Sequence, residues 1–251
     1  MPDSSVRSSG SLRVLTAKTE PFDSFWEAPE DIAAGYEKFF KFYSYNYRKH
    51  LPNDKSARIL VISCGAGYFV SFANRHGYSN VLGIDSIEEK VAIAKSQDLN
   101  CERQYGFDFL ESSTAPFDLI FCEQELNHLT KDEILEFLAL AKSKLAPSGK
   151  LILHVLNGAN PITGAEALAQ NFDHYNTFTE YSLRQVLEYS GFSDIGVFPL
   201  NLYVFWKNPL NYVLLLASTA FSLFFRAAFI MYGKHNRLFT KKIAAVCTNA
   251  G

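Results

Sequence analysis

The sequence predicts an α/β fold: a parallel sheet with helices on both faces. Short β-rich segments alternate along the chain with longer segments of helical periodicity, and turn-forming residues separate them. Strands that are joined by crossover helices lie parallel, and the helices then cover both faces of the sheet. A chain of 251 residues, 48% of them hydrophobic, is long enough to bury such a core.

Seven segments are predicted as strands. The segment 58–63 is β-rich and predicted to be buried, and 117–122 is clearly apolar. Residues 195–200 follow a helix that Gly191 closes, and 242–248 supply the last strand. The other predicted strands span 80–85, 100–104 and 150–155.

Helices are predicted between these strands. The first, at 31–50, is dense in aromatic rings, and Pro52 ends it. These rings either pack on the sheet or bring a tyrosine near a bound ligand. Two further helices span 68–76 and 87–97.

Two helix starts carry the spacing of a capping box. Thr130 followed by Glu133 opens a helix to residue 145, and Thr177 followed by Glu180 opens one to residue 189. Residues 147–149, with the sequence Pro-Ser-Gly, are predicted as a turn.

Charge and cysteine content exclude several classes of protein. The net charge is −2, from 24 basic and 26 acidic residues, which argues against a general nucleic-acid binder. Four cysteines lie far apart and form no C-x-x-C pair, so we predict neither a zinc knuckle nor a disulfide framework, and a reduced, cytoplasmic compartment. No histidine or acidic cluster indicates a metal site.

The chain divides into four predicted parts. Residues 1–25 are rich in Ser, lack the apolar core of a secretory signal and are expected to form a flexible tail. The main domain spans 26–207, an apolar helical insertion spans 208–238, and 239–251 contain the last strand of the domain.

The turn after the first strand predicts a nucleoside site. Gly65 and Gly67 let backbone N–H groups approach a ligand, and the next helix offers its positive end. Asp85 ends the second strand, 20 positions after Gly65, where a carboxylate can accept hydrogen bonds from both ribose hydroxyls. The alternative is an ordinary tight turn, with Asp85 as the N-cap of the next helix.

These segments resemble class I S-adenosylmethionine-dependent methyltransferases over residues 26–200. Residues 59–69 (ILVISCGAGYF) resemble motif I of that family, 81–85 (VLGID) its second motif, 117–120 (FDLI) its fourth strand, and 145–151 (LAPSGKL) the turn into its fifth. The resemblance implies a Rossmann-like seven-stranded sheet with an antiparallel last strand, and S-adenosyl-L-methionine as cofactor. The cofactor-binding residues it implies are Ser63, Cys64, Gly65, Ala66, Gly67, Asp85, Ser86, Tyr105, Gly106 and Glu123.

Three positions depart from the family pattern. Val61 stands where the family usually has an acid, Ser63 replaces the first glycine, and Tyr105 stands where an acid near the adenine is common. Tyr105 is expected to stack on adenine instead. These departures keep open an alternative, a methyltransferase fold without catalysis that acts as a scaffold. A nicotinamide enzyme fits less well, since position 70 is Val and the third glycine of its fingerprint is missing.

A second resemblance concerns the acceptor. Residues 171–174 (NFDH), followed by the Phe178-Thr179 helix start, are similar to a segment of methyltransferases from bacterial surface-polysaccharide clusters. This similarity implies a sugar hydroxyl or related polar acceptor, such as a lipid-linked glycan. His174 and His128 are the candidate bases for deprotonating it. The alternatives are a loop histidine that bonds a backbone carbonyl for His174, and a helix-entry residue before the Thr130 cap for His128. Glu123 and Glu125 flank the end of the fourth strand and either contact cofactor or acceptor or form an exposed acidic loop.

The segment 212–232 is unusual in having 21 residues and only one charge, Arg226. As a helix it is long enough to cross a bilayer, but Ser218, Ser222 and Arg226 form one polar stripe, and basic residues follow. We predict peripheral contact with the inner face of a membrane, with a dimer contact, a helix that caps the core or a true span as the alternatives. The oligomeric state is left open.

Overall fold

The structure is a computed structural model that describes residues 29–169, 171–172, 174–202 and 208–250. The predicted tail, 1–25, and Asp173 lie outside the described residues. A seven-stranded sheet has the order β3-β2-β1-β4-β5-β7-β6. Its strands are β1 (Ile59–Ile62), β2 (Val81–Asp85), β3 (Cys101–Arg103), β4 (Phe117–Glu123), β5 (Leu145–Leu156), β6 (Ser193–Pro199) and β7 (Lys242–Thr248).

The last strand alone reverses direction within this sheet. β7 pairs antiparallel with both β5 and β6, whereas the pairs among β1 to β5 are parallel. The predicted Rossmann-like sheet with an antiparallel final strand is therefore confirmed.

Helices cover both faces of the sheet. They are α1 (Pro29–Asn46), α2 (Tyr68–Arg75), α3 (Glu88–Ser96), α4 (Gly106–Ser112), α5 (Lys131–Ser143), α6 (Gly164–Ala169), α7 (Glu180–Tyr189) and α8 (Pro209–Met231). Short 3-10 turns span Arg48–His50 and Glu125–Asn127. The helices α4 and α6 were not predicted, because they are too short to show the apolar periodicity by which the other helices were recognised.

The sheet is buried on both sides because neighbouring residues of a strand point to opposite faces. Leu60 and Ile62 belong to the cluster that contains Phe137 of α5, while Val61 belongs to the cluster of α1 and α2. In the second cluster Phe69 stacks on Phe121 with 3.6 Å between ring centroids. Tyr43 of α1 also packs edge to face on Phe121, with 6.0 Å between ring centroids, so α1 packs on the sheet through part of its aromatic face.

Two predicted boundaries are wrong. The capping box of α7 is formed by Thr179 and Ser182, not by Thr177 and Glu180, because residue 178 is still extended and its N–H donates to the Leu156 carbonyl. The turn predicted at 147–149 lies within β5. Phe117 pairs with Leu145 and Leu119 with Lys150, so the Pro-Ser-Gly segment forms a bulge inside the strand.

The absence of a side chain at Gly83 allows β2 to fit beneath the first turn. A Cβ at Gly83 would lie 2.8 Å from the Cys101 Sγ, 2.8 Å from a Val70 methyl and 2.9 Å from the Cys64 Sγ. Gly83→Ala should lower the free energy of unfolding by about 1–3 kcal/mol through overpacking. Urea denaturation tests this. Gly196→Ala is the control, since its Cβ would lie 3.5 Å from Val246, an ordinary contact. Equal stability of the two variants would contradict this packing.

Candidate functional site

The turn that follows β1 and the end of β2 form one hydrogen-bonded unit. The Gly65 N–H donates to Asp85 Oδ2 at 2.7 Å, and Asp85 Oδ1 accepts from the Ile87 N–H at 3.0 Å. The α3 N-cap is Ile87, so the alternative role predicted for Asp85 is taken by another residue, although Asp85 does bind the N–H of that cap. Its carboxylate is buried at the carboxyl edge of the sheet, where ligands of open α/β sheets bind.

The two glycines of the turn differ in their surroundings. Both have positive φ angles, 53° at Gly65 and 80° at Gly67. A Cβ on Gly65 would meet nothing within 4 Å, whereas one on Gly67 would lie 2.7 Å from Leu99. Gly65 therefore faces open space beside the Asp85 carboxylate. Gly67 allows α2 to begin directly against the Leu99 side chain, which precedes β3.

Helix α1 lies across the same turn. The Tyr36 hydroxyl donates to the Ala66 carbonyl at 2.6 Å, and the Phe39 ring stacks on Tyr68 with 4.5 Å between centroids. Burial, followed by the nearby Cys101 and Cys64 thiols, raises the pKa of Tyr36 to about 12, so the hydroxyl remains a donor at neutral pH. A tyrosine of the aromatic helix thus lies at the site, as one of the two interpretations of that helix expected.

Ser63 links β1 to the segment after β4. It has a positive φ of 56°, a backbone conformation that costs a non-glycine residue about 1–2 kcal/mol. Its hydroxyl donates a hydrogen bond to Glu125 Oε2. Serine in the family's glycine position thus keeps the left-handed turn and adds a side-chain bond.

Glu125 is the site residue that sequence reasoning placed least well. Burial raises the pKa of its carboxyl, and the nearby Asp85 carboxylate adds to the rise, while the Ser63 hydroxyl and His128 oppose it. A carboxylate in this position attracts a cation. The signal in the sequence was the pair Glu123 and Glu125 at a strand end, which did not indicate which of the two faces the turn.

Glu123 faces the protein interior instead. Its Oε2 accepts from the Tyr43 hydroxyl at 2.7 Å, and its Oε1 lies 3.1 Å from His154 Nδ1. Burial alone would raise the pKa of Glu123, but His154, Lys242 and Tyr43 outweigh it and lower the pKa to about 2. Glu123 therefore holds α1 against β4 as an ionised acceptor, and neither of its oxygens points at the Ser63–Gly67 turn through a described hydrogen bond.

His128 and His174 come together although 46 positions separate them in the chain. Their ring centroids are 4.8 Å apart in an edge-to-face arrangement. The buried Asn127 joins the two segments. Its side-chain Nδ2 donates to the Asn176 carbonyl at 2.6 Å, and its backbone carbonyl accepts from the Tyr175 N–H at 2.8 Å. Asn127 is a second residue that sequence reasoning missed, since an isolated Asn carries no pattern.

The tautomer of His174 follows from its contacts. Its Nδ1 lies 2.6 Å from the Ala167 carbonyl, which can only accept, so Nδ1 carries the proton. Nε2 then bears the lone pair, 3.3 Å from the Asn171 amide nitrogen. A backbone carbonyl that fixes one ring nitrogen leaves the other basic.

The remaining predicted cofactor residues lie around the same edge. Cys64 and Ala66 are buried in the turn, and Ser86 is half-buried after β2. Tyr105 is half-buried and is the N-cap of α4, and a Cβ on the adjacent Gly106 would lie 3.2 Å from Ile62.

Substitutions at Ser63 separate its two roles. Ser63→Ala loses the bond to Glu125 and retains the strained φ, so unfolding should become about 1–3 kcal/mol easier. Ser63→Gly loses the same bond but relieves the strain, so it should be about 1 kcal/mol more stable than the Ala variant. Urea denaturation of both variants measures this. Ser148→Gly is the control that relieves strain alone, because Ser148 is exposed and has a φ of 62°. Equal stability of the two Ser63 variants would rule out the strain.

Comparison with known proteins agrees with this fold. A family model described as a methyltransferase domain matches residues 30–196. A search of curated proteins finds no match.

Several solved structures resemble the chain at low identity. A SAM-dependent methyltransferase from Archaeoglobus fulgidus has a TM-score of 0.63 and 19% identity, over 83% of this chain and 94% of that one. The plantazolicin methyltransferase BpumL, in complex with SAH, has a TM-score of 0.57 and 18% identity, over 95% and 97% of the two chains.

Phosphoethanolamine N-methyltransferase 2 of Haemonchus contortus, in complex with S-adenosyl-L-methionine, has a TM-score of 0.59 and 17% identity, over 96% of this chain and 60% of that one. These likenesses concern the fold. Because the family model covers more than half of the sequence, this chain belongs to the methyltransferase-domain family.

Proposed function

We propose that this protein transfers a methyl group from S-adenosylmethionine to an oxygen of a polar acceptor, for which a sugar hydroxyl on a glycan is the candidate. The observation that carries the proposal is the buried Asp85 carboxylate bonded to the Gly65 N–H beside open space. Neighbours solved with S-adenosylmethionine or its product support this cofactor.

The residues of the site fit such a cofactor. Asp85 and Ser86 would hold the ribose, Gly65, Ala66 and Gly67 would let its chain pass close to the backbone, and the half-buried Tyr105 offers a ring for adenine. Cys64 and Gly106 would line the same cofactor site. Glu123 would support it indirectly, by holding α1 against β4 through Tyr43.

Glu125 takes over a role for which Val61 has no polar atom. Val61 is fully buried among apolar residues, so it offers nothing to a ligand. The Glu125 carboxylate approaches the turn from β4 through Ser63, and we infer that it receives the ammonium group of the methionine part of the cofactor. The presence of Glu125, in place of the acid that the family usually has at position 61, favours a functional cofactor site over the scaffold alternative.

His174 is the proposed base. The bound sulfonium supplies an electrophilic methyl group, and an alcohol oxygen attacks it well only when its proton is removed. In the tautomer set by Ala167, His174 Nε2 bears the lone pair that the Asn171 amide faces at 3.3 Å, and the acceptor hydroxyl would take the place of that amide and give its proton to Nε2. His128, in ring contact with His174, would orient the acceptor or the base.

The acceptor class depends on the resemblance of residues 171–174 to methyltransferases of surface-polysaccharide clusters. A lipid-linked acceptor would require the protein to act at the cytoplasmic face of a membrane, and residues 212–232 offer the contact.

Loss of the Asp85 carboxylate should remove cofactor binding. We expect Asp85→Asn to weaken binding of S-adenosylmethionine and S-adenosylhomocysteine at least about tenfold, since one acceptor oxygen becomes an NH2 donor and the other loses its charge. Calorimetric titration measures this. Asp118→Asn is the control, because Asp118 lies at the opposite end of β4 and accepts from the Arg58 N–H. No binding to the wild-type protein would instead support the scaffold alternative.

Loss of His174 should affect catalysis and leave cofactor binding intact. We expect His174→Ala to lower kcat about 10²-fold or more, the usual contribution of a general base. Release of S-adenosylhomocysteine, measured over pH with lipid extracts and with soluble sugars as acceptors, tests this. The acidic limb, where the rate falls as the base becomes protonated, should disappear in His174→Ala and persist in His235→Ala, a histidine exposed beyond α8. An unchanged pH profile would exclude His174 as the base.

A further inference from the structure

Helix α8 is an exposed apolar helix. It has 23 residues, an 18-residue stretch of it has a mean hydropathy of 2.0, and none of its side chains is buried. Its length and composition would suffice to cross a membrane. An apolar surface of this extent on one element needs a cover that the described residues do not supply.

One face of α8 is attached to the domain. Residues 211, 214, 215, 218, 221, 222, 225, 228 and 229 are half-buried at helical spacing, and Phe229 packs on the buried Phe239 with 4.7 Å between ring centroids. The predicted stripe therefore divides: Ser218 and Ser222 are on the attached face, and Arg226 is on the exposed face. Exposed side chains on the outer face include Leu216, 71% exposed, and Phe224, 66% exposed.

Both ends of α8 return to the same edge of the sheet. It connects the carboxyl end of β6 with the amino end of β7, and β7 is antiparallel. Lys242, the first residue of β7, pairs with Leu156, the last residue of β5. The helix therefore lies at the carboxyl edge, the edge that carries the site, and a span that placed its two ends on opposite sides of a bilayer would separate β7 from its partners.

The chain segment that contains α8 carries charge of one sign, and the Glu180 carboxylate of α7 accepts from the Arg237 N–H beside it. The residues after Asp194 contain six of the 24 Lys and Arg residues and none of the 26 Asp and Glu residues. Lys234, His235 and Arg237 are exposed directly after the helix. This part of the chain carries a net charge of +6 and the remainder −8, although the whole carries only −2. Such an asymmetry suits an anionic surface and opposes pairing with a second copy of the same face.

Contacts join this surface to the acceptor side of the site. Asn157 Nδ2 donates to the carbonyls of Leu238 and Thr240, at 3.0 and 2.8 Å. The Tyr181 hydroxyl of α7 donates to the His235 carbonyl at 2.9 Å. The segment between β5 and α7, which contains His174, is thus bonded to the segment that follows α8.

Apolar side chains are exposed on that connecting segment as well. Phe172 is 94% exposed and Ile162 67% exposed, at the same edge of the sheet as α8. Phe172 lies two positions before His174. Exposed apolar side chains therefore lie on α8 and, at the same edge of the sheet, close in sequence to the proposed base.

We propose that the outer face of α8, with Lys234 and Arg237 beside it, binds flat on an anionic lipid bilayer and turns the His174 side of the site toward it. Bilayer binding stands on the helix and its charges alone. The orientation toward an acceptor rests on the proposed methyl transfer. The helix enters the interfacial region with its apolar face, and the basic residues reach the lipid phosphates.

Vesicle flotation tests the binding without reference to activity. The full chain should float with vesicles of phosphatidylcholine and phosphatidylglycerol in a three-to-one mixture and less with phosphatidylcholine alone. Leu216→Glu combined with Phe224→Glu should abolish flotation. Lys234→Glu combined with Arg237→Glu should weaken binding to the anionic vesicles about tenfold or more. Tyr189→Glu is the matched control, because Tyr189 is 79% exposed but ends α7 at the opposite edge of the sheet.

Three results would overturn the proposal. The first is a wild-type protein that stays at the bottom of the gradient, and the second is a Leu216→Glu, Phe224→Glu variant that floats like the wild type. The third is a wild-type dimer in solution that the same double substitution converts to a monomer, since a second copy would then cover α8.

Fluorescence quenching tests the orientation. In Phe172→Trp, the added emission over the wild-type background should be quenched by brominated lipids, and in Tyr189→Trp it should not. Equal quenching at the two positions would exclude the orientation and leave bilayer binding intact. Because calorimetric titration with S-adenosylmethionine is performed without lipid, failure of cofactor binding and failure of membrane binding are distinguishable.

Discussion

The hydrogen bond between the Gly65 N–H and the Asp85 carboxylate holds together the ends of two neighbouring strands. It ties the turn after β1 to the end of β2, and the Ile87 N–H ties the same carboxylate to the start of α3. The left-handed conformations of the turn persist because these bonds over-determine them. The space beside Gly65, the position of α2 and the contact with α1 all depend on where this turn lies.

The segment after β4 supports the turn from the other side. Glu125 reaches Ser63, Asn127 reaches Asn176, and the strained Gln124, with a φ of 60°, donates its N–H to the His154 carbonyl. Glu123 and Glu125 are two positions apart but face different surroundings. Glu123 is an ionised partner of His154 and Tyr43, whereas Glu125 lies at the turn. Their separate environments shift their pKa values in opposite directions.

Sequence patterns were sufficient for the architecture and for part of the site. The seven-stranded sheet and its antiparallel last strand were predicted from the alternation of strands and helices and from the motif resemblance. Both signals were strong because most of the parallel strands are apolar and glycines mark the turn after β1. Helix α4 and the shifted cap at Thr179 escaped because a short helix has too few turns to show a period, and because Thr177 and Thr179 both offer a hydroxyl three residues before a polar side chain. The partners of Glu123, Glu125 and Asn127 are 29 to 80 positions away, and no local spacing encodes such contacts.

The reversed direction of β7 determines at which rim the chain leaves the sheet. The last residue of β7, Thr248, pairs with Ser193 at the start of β6 and with Lys150, directly after the bulge in β5. Seven residues of strand span about 20 Å, so a fusion partner attached after residue 250 would emerge at the far rim of the sheet from Asp85. Reporter domains or surface-coupling handles placed there leave the cofactor mouth, α8 and the loop of His174 unobstructed.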